Sequence, residues 1–254
     1  MRDFSGFTTR FNWPDIAEGT PLCIGHRGAS GHTTENTLAG FRLASALGAQ
    51  MWELDTQLTR DGVVVVSHDD HLLRVFGVDA FISDLSADQL ADLEGVAVPT
   101  FAEVAALARE LGAGLYIELK AAGSGPKCWH ELLQHDQTFA VLGSFDTAQL
   151  RQLRDMGCGY PLAVLVRVGA DPLVFADMAS ADIVHLCWER DGARPQDKVT
   201  PQLREAIFAS RREIVLWHEE RADILADIMA MPVLGICTDL PDLMRPKASA
   251  IDHE

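Results

Sequence analysis

The sequence predicts a closed (β/α)₈ barrel, a TIM barrel, with a β-hairpin excursion after the second strand and a small insertion behind it. Three observations favour this fold class: short apolar runs alternate with helical patterns, the runs number eight, and one further strand-like run follows the second too closely for a helix to lie between them. Such alternation is typical of a parallel sheet covered by helices. An open doubly wound sheet alternates in the same way, and the count of runs does not separate the two folds.

The eight apolar runs are the predicted barrel strands. Most are rich in Val, Ile or Leu, as strands buried on both faces of a sheet should be. In chain order they are Leu22–Gly25, Met51–Asp55, Leu115–Leu119, Ala140–Ser144, Leu162–Val166, Ile183–Cys187, Ile214–Trp217 and Gly235–Cys237.

Helical patterns lie between most of these strands. Capping boxes are predicted at Ser86 with Gln89 and at Thr100 with Glu103, because each pair can satisfy two free backbone N–H groups reciprocally. Thr33 or Thr34 is the expected N-cap of the first helix. The predicted helices are Glu35–Leu47, Phe101–Leu111, Ala148–Met156, Gln202–Arg211 and Ala222–Met229.

The additional strand, Val63–Ser67, predicts a β-hairpin with the second barrel strand. Asp61 and Gly62 form a strong two-residue turn signal. With those two residues at the centre of the turn, Asp55 lies opposite His68, which brings the imidazole beside the carboxylates of the second strand. Residues 71–98 then form the small insertion.

Composition limits the class of protein. The 254 residues predict a single barrel domain over 1–254, and an apolar content of 48% can bury a sizeable core. The 37 acidic and 21 basic residues leave a net charge of −16, which argues against nucleic acid or an anionic membrane surface as a partner.

The expected location is the cytoplasm. Five scattered cysteines without a C-x-x-C pair are typical of reduced thiols. No apolar stretch approaches the roughly eighteen residues of a membrane span. Residues 1–15 lack a basic start followed by an apolar region, so we expect no secretory leader. The oligomeric state cannot be predicted from these features.

Charged residues gather at the carboxyl ends of the predicted strands, where barrel enzymes carry their active sites. Glu53 and Asp55 are two positions apart and share a strand face, and Glu118 with Lys120 repeats that spacing. Three carboxylates at one rim must bind a cation or share a proton. Oxygen ligands alone favour Mg²⁺ or Ca²⁺ over Zn²⁺, with Mn²⁺ as a further candidate.

Each of these residues also has a structural interpretation. A strand-end carboxylate is often a helix cap, and a lone histidine such as His26 is more often a core residue than a catalytic one. Asn36 can begin the first helix or donate a hydrogen bond within the site. The conjunction of two histidines, an arginine, a lysine and three carboxylates at one rim nevertheless favours a site for a metal and an anionic substrate.

Short sequence motifs from about residue 21 onward point to a particular family by their identity and their order. In chain order they are I-G-H-R-G-A (24–29), E-N-T (35–37), E-L-D, T-R-D-G and S-H-D (53–69), V-P-T-F-A-E-V (98–104), I-E-L-K (117–120), G-S-F-D (143–146) and G-I-C-T-D-L-P (235–241). Together they resemble the glycerophosphodiester phosphodiesterase family of TIM-barrel enzymes. The resemblance implies metal-dependent hydrolysis of a small glycerophosphodiester to an alcohol and glycerol 3-phosphate.

The resemblance also implies a role for individual residues. His26 and His68 would be the general acid and base, and Glu53, Asp55 and Glu118 would hold one divalent cation. Arg27 and Lys120 would bind phosphate oxygens, and Trp217 would line the glycerol pocket. Two rival functions stay open: a phosphodiesterase for a lysophospholipid or sugar phosphodiester, and a barrel that binds a phosphorylated metabolite without turnover. Binding alone would not need both histidines.

The segment after Trp217 departs from the family pattern. His218, Glu219 and Glu220 stand where the family more often has an uncharged stretch. If Trp217 points into the barrel mouth, strand alternation turns Glu219 the same way and His218 towards the helices. An aromatic face beside a carboxylate would then favour choline or ethanolamine headgroups over inositol or glycerol. The alternative is that Glu219 pairs with Arg221 or caps the following helix.

Overall fold

The computed structural model describes residues 20–244, in which eight parallel strands form a closed barrel. Closure occurs where the first strand pairs with the second, so the open doubly wound alternative is excluded. The predictions of a single domain over 1–254 and of no secretory leader in residues 1–15 extend outside this range.

The barrel strands are β1 (Leu22–Gly25), β2 (Met51–Leu58), β4 (Gly114–Leu119), β5 (Ala140–Ser144), β6 (Leu162–Arg167), β7 (Ile183–Cys187), β8 (Glu213–His218) and β9 (Gly235–Thr238); β3 (Val64–Val66) lies outside the barrel.

Two apolar layers account for the burial of these strands on both faces. Alternate side chains such as Ile24, Met51, Val141 and Val215 point inward and fill the barrel interior. Their neighbours along each strand point outward and pack against the surrounding helices in a second, larger cluster. The side chains at the carboxyl ends of the strands are therefore held on a packed support.

All five predicted helices are present, although the first begins later than expected. Thr37, not Thr33 or Thr34, is its N-cap, and its hydroxyl accepts a hydrogen bond from Gly40 N at 3.1 Å. Both predicted capping boxes are confirmed. The helices are α1 (Leu38–Ala46), α2 (Leu73–Phe76), α3 (Ala87–Ala91), α4 (Phe101–Leu111), α5 (Ser124–Gln134), α6 (Thr147–Asp155), α7 (Pro172–Ala179), α8 (Pro201–Ala209) and α9 (Ala222–Met229).

Two barrel helices, α5 and α7, were not predicted. Helix α5 starts with Ser-Gly-Pro, a composition more typical of a turn. Helix α7 starts at Pro172, where the fixed proline φ suits the first helical position, and Asp171 caps it by accepting from Leu173 N at 2.9 Å.

The hairpin is confirmed, but its predicted register is wrong by one residue. Strand β3 runs antiparallel to β2 with Thr56 opposite Val66. The connection has three residues, 60–62, because Thr59 N donates to Val63 O at 3.0 Å, and Gly62 adopts the left-handed φ of 82° that closes such loops. The residue facing Asp55 is consequently Ser67, whose N–H donates to Asp55 O at 3.0 Å, and not His68.

The insertion at residues 71–98 is a small unit with its own apolar centre. It contains α2, a 3₁₀ turn at Ile82–Asp84 and α3. Leu72, Ile82 and Leu90 pack around Val65 of the hairpin, which fixes the insertion beside the barrel mouth. Within residues 20–244, none of the helices has the length and apolar content that crossing a membrane requires.

Candidate active site

The three predicted metal ligands lie together at the barrel mouth. Glu53 and Asp55 share one face of β2, and Asp55 is in register with Glu118 on the neighbouring β4. One carboxylate oxygen from each of the three lies within 4.8 Å of the others, and all three side chains are buried. Among the described residues this is the single group of three or more side chains with metal-ligand geometry.

Two cations partly neutralise this cluster. Lys120 Nζ lies 2.8 Å from Glu118 Oε1, and Arg27 Nε lies 3.3 Å from Asp55 Oδ2. Burial disfavours the charge of Asp55, but Arg27 and Lys120 attract it more strongly and lower its pKa. Burial and the neighbouring carboxylates raise the pKa of Glu53 well above its usual range and that of Glu118 to about 7. The two cations therefore do not balance three ionised carboxylates.

The cluster has the donor chemistry of a divalent cation site. Asp55 Oδ1 is buried and has no hydrogen-bond partner among the described residues, with Lys120 Nζ 3.3 Å away. The ion pair with Lys120 leaves this buried oxygen without an aligned hydrogen bond, and a cation shared with Glu53 and Glu118 would satisfy it. Three carboxylates and no nitrogen or sulfur ligand suit a hard cation such as Mg²⁺ or Ca²⁺.

Both predicted catalytic histidines lie beside this cluster. His26 follows β1, and its Nδ1 is 2.5 Å from Asp239 Oδ1 while its Nε2 is 3.9 Å from Glu53 Oε2. His68 follows β3, and its Nδ1 is 2.7 Å from Asp69 Oδ1. Burial lowers the pKa of His26 despite the opposing hydrogen bond to Asp239. A carboxylate at each Nδ1 leaves each Nε2 available to a ligand.

His26, His68 and the carboxylates Glu53 and Glu118 line one cavity of about 440 Å³. His68 reaches this cavity despite the register error, because it lies beyond the paired part of the hairpin. Gln57 Nε2 holds that segment by donating to His68 O at 3.0 Å. The hairpin prediction therefore brought His68 to the same cavity as the carboxylates, although its predicted register is wrong.

Two residues with left-handed backbone connect the H-R-G and E-N-T segments. Arg27 has φ 53° and Asn36 has φ 55°, and Asn36 N donates to Arg27 O at 3.0 Å. The Asn36 amide donates to Asp55 Oδ2 at 2.9 Å, while Arg27 N donates to Glu53 Oε2 at 3.1 Å. Asn36 thus orients a carboxylate and does not begin the helix, and such strained backbone is typical of functional sites.

A β-bulge at the end of β8 changes the predicted orientation of His218. Leu216 pairs with Ile236 but His218 pairs with Cys237, so one extra residue lies in β8. Trp217 and His218 both line the cavity. The expectation that His218 points towards the helices is therefore wrong, because the bulge shifts the alternation by one position.

Glu219 is held by its own chain segment and is not among the cavity-lining side chains. Its carboxylate accepts from Arg221 Nε and Nη2, both at 2.7 Å, and from Trp217 Nε1 at 3.3 Å. The side chain is buried and its charge is paired with Arg221. The structure thus matches the alternative in which Glu219 pairs with Arg221.

Several cavity residues were missed. Arg74 enters from the insertion, whose sequence has no clear periodicity, and Glu189 with Arg190 enters from the loop after β7. His185 lies within β7, where burial and then His26 and His218 lower its pKa to about 3. A histidine inside the apolar run I-V-H-L-C was the one signal that could have revealed it.

The fold and site together define a barrel enzyme for phosphorylated substrates: a carboxylate cluster, two anchored imidazoles and the cations Arg27 and Lys120 converge on one mouth. The family model for the glycerophosphoryl diester phosphodiesterase family matches residues 26–243. The chain belongs to this family and is a phosphoric diester hydrolase.

Similar proteins cover nearly the same length. The YhdW protein of Bacillus subtilis is 30% identical over 240 residues, which is 87% of this chain and 95% of YhdW. A glycerophosphodiester phosphodiesterase of Caldanaerobacter subterraneus is 27% identical over 240 residues, 88% of this chain and 96% of the relative. The solved structure of an Oleispira antarctica phosphodiesterase in complex with the product sn-glycerol-3-phosphate has a TM-score of 0.75 at 21% identity, covering 89% and 95% of the two chains.

Proposed function

We propose that the enzyme hydrolyses glycerophosphodiesters to an alcohol and glycerol 3-phosphate with the help of one divalent cation. The observation that carries the proposal is the convergence of Glu53, Asp55 and Glu118 with two histidines anchored at Nδ1. The names of the similar proteins support the same substrate class, and the product in the Oleispira antarctica structure is the one expected here.

The chain's own groups divide the work between binding and proton transfer. Arg27 would bind phosphate oxygens with its planar guanidinium, and Lys120 would add a point charge. One of His26 and His68 would take, at Nε2, the proton of the attacking oxygen, and the other would protonate the leaving alkoxide. The attacking oxygen is that of water, or that of a glycerol hydroxyl that forms a cyclic phosphate, which water then opens to glycerol 3-phosphate. The cation held by the three carboxylates would polarise a phosphoryl oxygen. Trp217 would line the glycerol pocket.

The test is a panel of glycerophosphodiesters in which the released alcohol and glycerol 3-phosphate are both measured. We expect turnover to be lost after dialysis against EDTA and restored to different extents by Mg²⁺, Mn²⁺ and Ca²⁺. Full activity in excess EDTA would contradict the cation's role. If none of the substrates releases glycerol 3-phosphate in the presence of metal, the proposed substrate class is contradicted.

We also propose that the enzyme acts in a reducing compartment such as the cytoplasm. Its five cysteines are scattered along the chain and follow no disulfide pattern. Four of them are buried as thiols in the barrel and its surrounding layer. Fractionation of the source cells, with activity and protein followed together, tests this location.

A further inference from the structure

Arg74 connects two carboxylates at the rim of the cavity. Its guanidinium donates through Nε to Asp69 Oδ2 at 2.5 Å and through Nη1 and Nη2 to Glu35, at 2.9 and 2.6 Å. It belongs to α2 of the insertion, whereas Glu35 precedes the first barrel helix. All three nitrogen atoms of the guanidinium are therefore engaged with acceptors in different parts of the fold.

Each of the two carboxylates also holds a side chain of the proposed machinery. The second oxygen of Asp69 lies 2.7 Å from His68 Nδ1, and Glu35 Oε1 accepts from Arg27 Nη1 at 3.0 Å. The contacts form a continuous series, His68 to Asp69 to Arg74 to Glu35 to Arg27. We infer that Arg74 is a positioning residue that fixes the imidazole of His68 through Asp69 and ties the insertion to the active site.

The two ends of this series do not depend on Arg74 equally. Arg27 has a second anionic neighbour, because its Nε lies 3.3 Å from the buried Asp55. His68 Nδ1 is oriented by Asp69, whose other oxygen is held by Arg74. Loss of Arg74 would free the Asp69 carboxylate to rotate. The orientation of the His68 imidazole should therefore change more than that of the Arg27 guanidinium.

Stability alone does not account for the arrangement. The side chain of Arg74 is 49% exposed, and exposed ion pairs contribute little to the free energy of unfolding. Misplacement of a proton-transfer group by about 1 Å, in contrast, can lower turnover on the order of 100-fold. We therefore expect the loss of this series of contacts to lower kcat markedly and to change the free energy of unfolding little.

Arg60 provides a matched control for simple attachment of the insertion. Its Nη1 donates to Asp84 O at 2.7 Å and its Nη2 to Gln89 Oε1 at 2.8 Å, so it also ties the hairpin to the insertion. It is not among the residues that line the active-site cavity. Arg60→Gln should thus weaken attachment of the insertion without disturbing His68.

The inference rests on the proposed function, and the experiment separates the two. Arg74→Gln, Arg74→Lys and Arg60→Gln are compared with the parent enzyme in kcat, KM and Tm, with metal present. We expect Arg74→Gln to lower kcat about 10- to 100-fold with a smaller change in KM. Arg74→Lys should be intermediate because an ammonium cannot hold both carboxylates in a fork, and Arg60→Gln should stay within about twofold of the parent, as expected for a residue outside the site.

The same substitution made in a His68→Ala enzyme tests whether Arg74 affects kcat through His68. If Arg74 acts through His68, Arg74→Gln should lower kcat by no more than about twofold in a His68→Ala enzyme, because the ring that it positions is gone. An equal loss in both backgrounds, or a parent-like kcat for Arg74→Gln, would overturn the inference while leaving the proposed function intact. Parent-like turnover of His68→Ala itself would contradict the role proposed for His68.

Discussion

The imidazole of His218 lies parallel to that of His26, with ring centroids 4.5 Å apart and the two planes inclined by 3°. Asp239 holds the Nδ1 edge of the same His26 ring. The ring proposed to transfer a proton is thus restrained at one face by His218 of β8 and at one edge by Asp239, which directly follows β9.

This stacking predicts that the shape of residue 218 affects turnover more than its charge. We expect His218→Ala to lower kcat on the order of tenfold through loss of the facing ring, and His218→Phe to keep kcat within a few-fold of the parent. Steady-state kinetics of both variants, with Tm measured alongside, checks the prediction. An equal loss in the two variants would show that stacking is not the reason.

Turnover should depend on both cavity histidines as a unit. His26→Ala and His68→Ala should each lower kcat by on the order of 10²-fold or more, the usual contribution of a general acid or base. The double variant should lose much less than the product of the two single losses. His135→Ala, which alters a histidine paired with Glu131 on helix α5, is the control. Near-parent turnover in either single variant would remove that residue from the mechanism.

Glu219 should not select the headgroup, because its charge is paired with Arg221. Glu219→Gln should leave the ratio of kcat/KM for glycerophosphocholine and glycerophosphoinositol within about twofold of the parent ratio, because neither Glu219 nor Arg221 lines the cavity and the Arg221 charge left unpaired is 42% exposed and screened by solvent. It should lower Tm, because the hydrogen bonds between the buried Glu219 carboxylate and Arg221 are weakened. A ratio that moves several-fold would instead support the preference for cationic headgroups that the sequence suggested.

The carboxylate cluster should make the metal-free enzyme less stable as pH rises. The pKa of Glu118 is raised from 4.5 to about 7, so the folded chain binds more protons than the unfolded chain between those values. The free energy of unfolding contributed by this group therefore falls as pH increases through that interval. Urea unfolding in chelator at pH 5 and pH 7.5 should show a larger loss for the parent than for Glu118→Gln. An identical loss in both would contradict the prediction.

The carboxylate cluster was predictable because it depends on two local rules. Residues two apart on a strand share a face, and parallel strands present their carboxyl ends at one rim. Glu53, Asp55 and Glu118 obey both rules, and their strands were visible as apolar runs.

The sequence-based predictions were wrong where one extra residue shifts the in-and-out alternation of side chains along a strand. They were incomplete where a contact joins distant elements whose sequences have no hydrophobic periodicity. The bulge near Trp217 reverses the facing of His218, and a three-residue hairpin loop moves the partner of Asp55 to Ser67. Arg74 meets Glu35 across 39 positions through an insertion that no sequence pattern oriented. Single-residue changes in register leave no trace in the hydrophobic pattern on which the predictions depended.

The order of the strands around the barrel divides the lining of the cavity between the two halves of the chain. Strands β1, β2 and β4 are neighbours, and with the hairpin they bring His26, Arg27, Glu53, Asp55, His68, Glu118 and Lys120 from the first half of the chain. The facing wall, including Phe145, Leu165, Glu189 and Trp217, comes from the second half. We therefore expect substitutions beyond residue 140, other than at His218 and Asp239 that restrain His26, to change the shape of this wall while the carboxylates and the two cavity histidines keep their places.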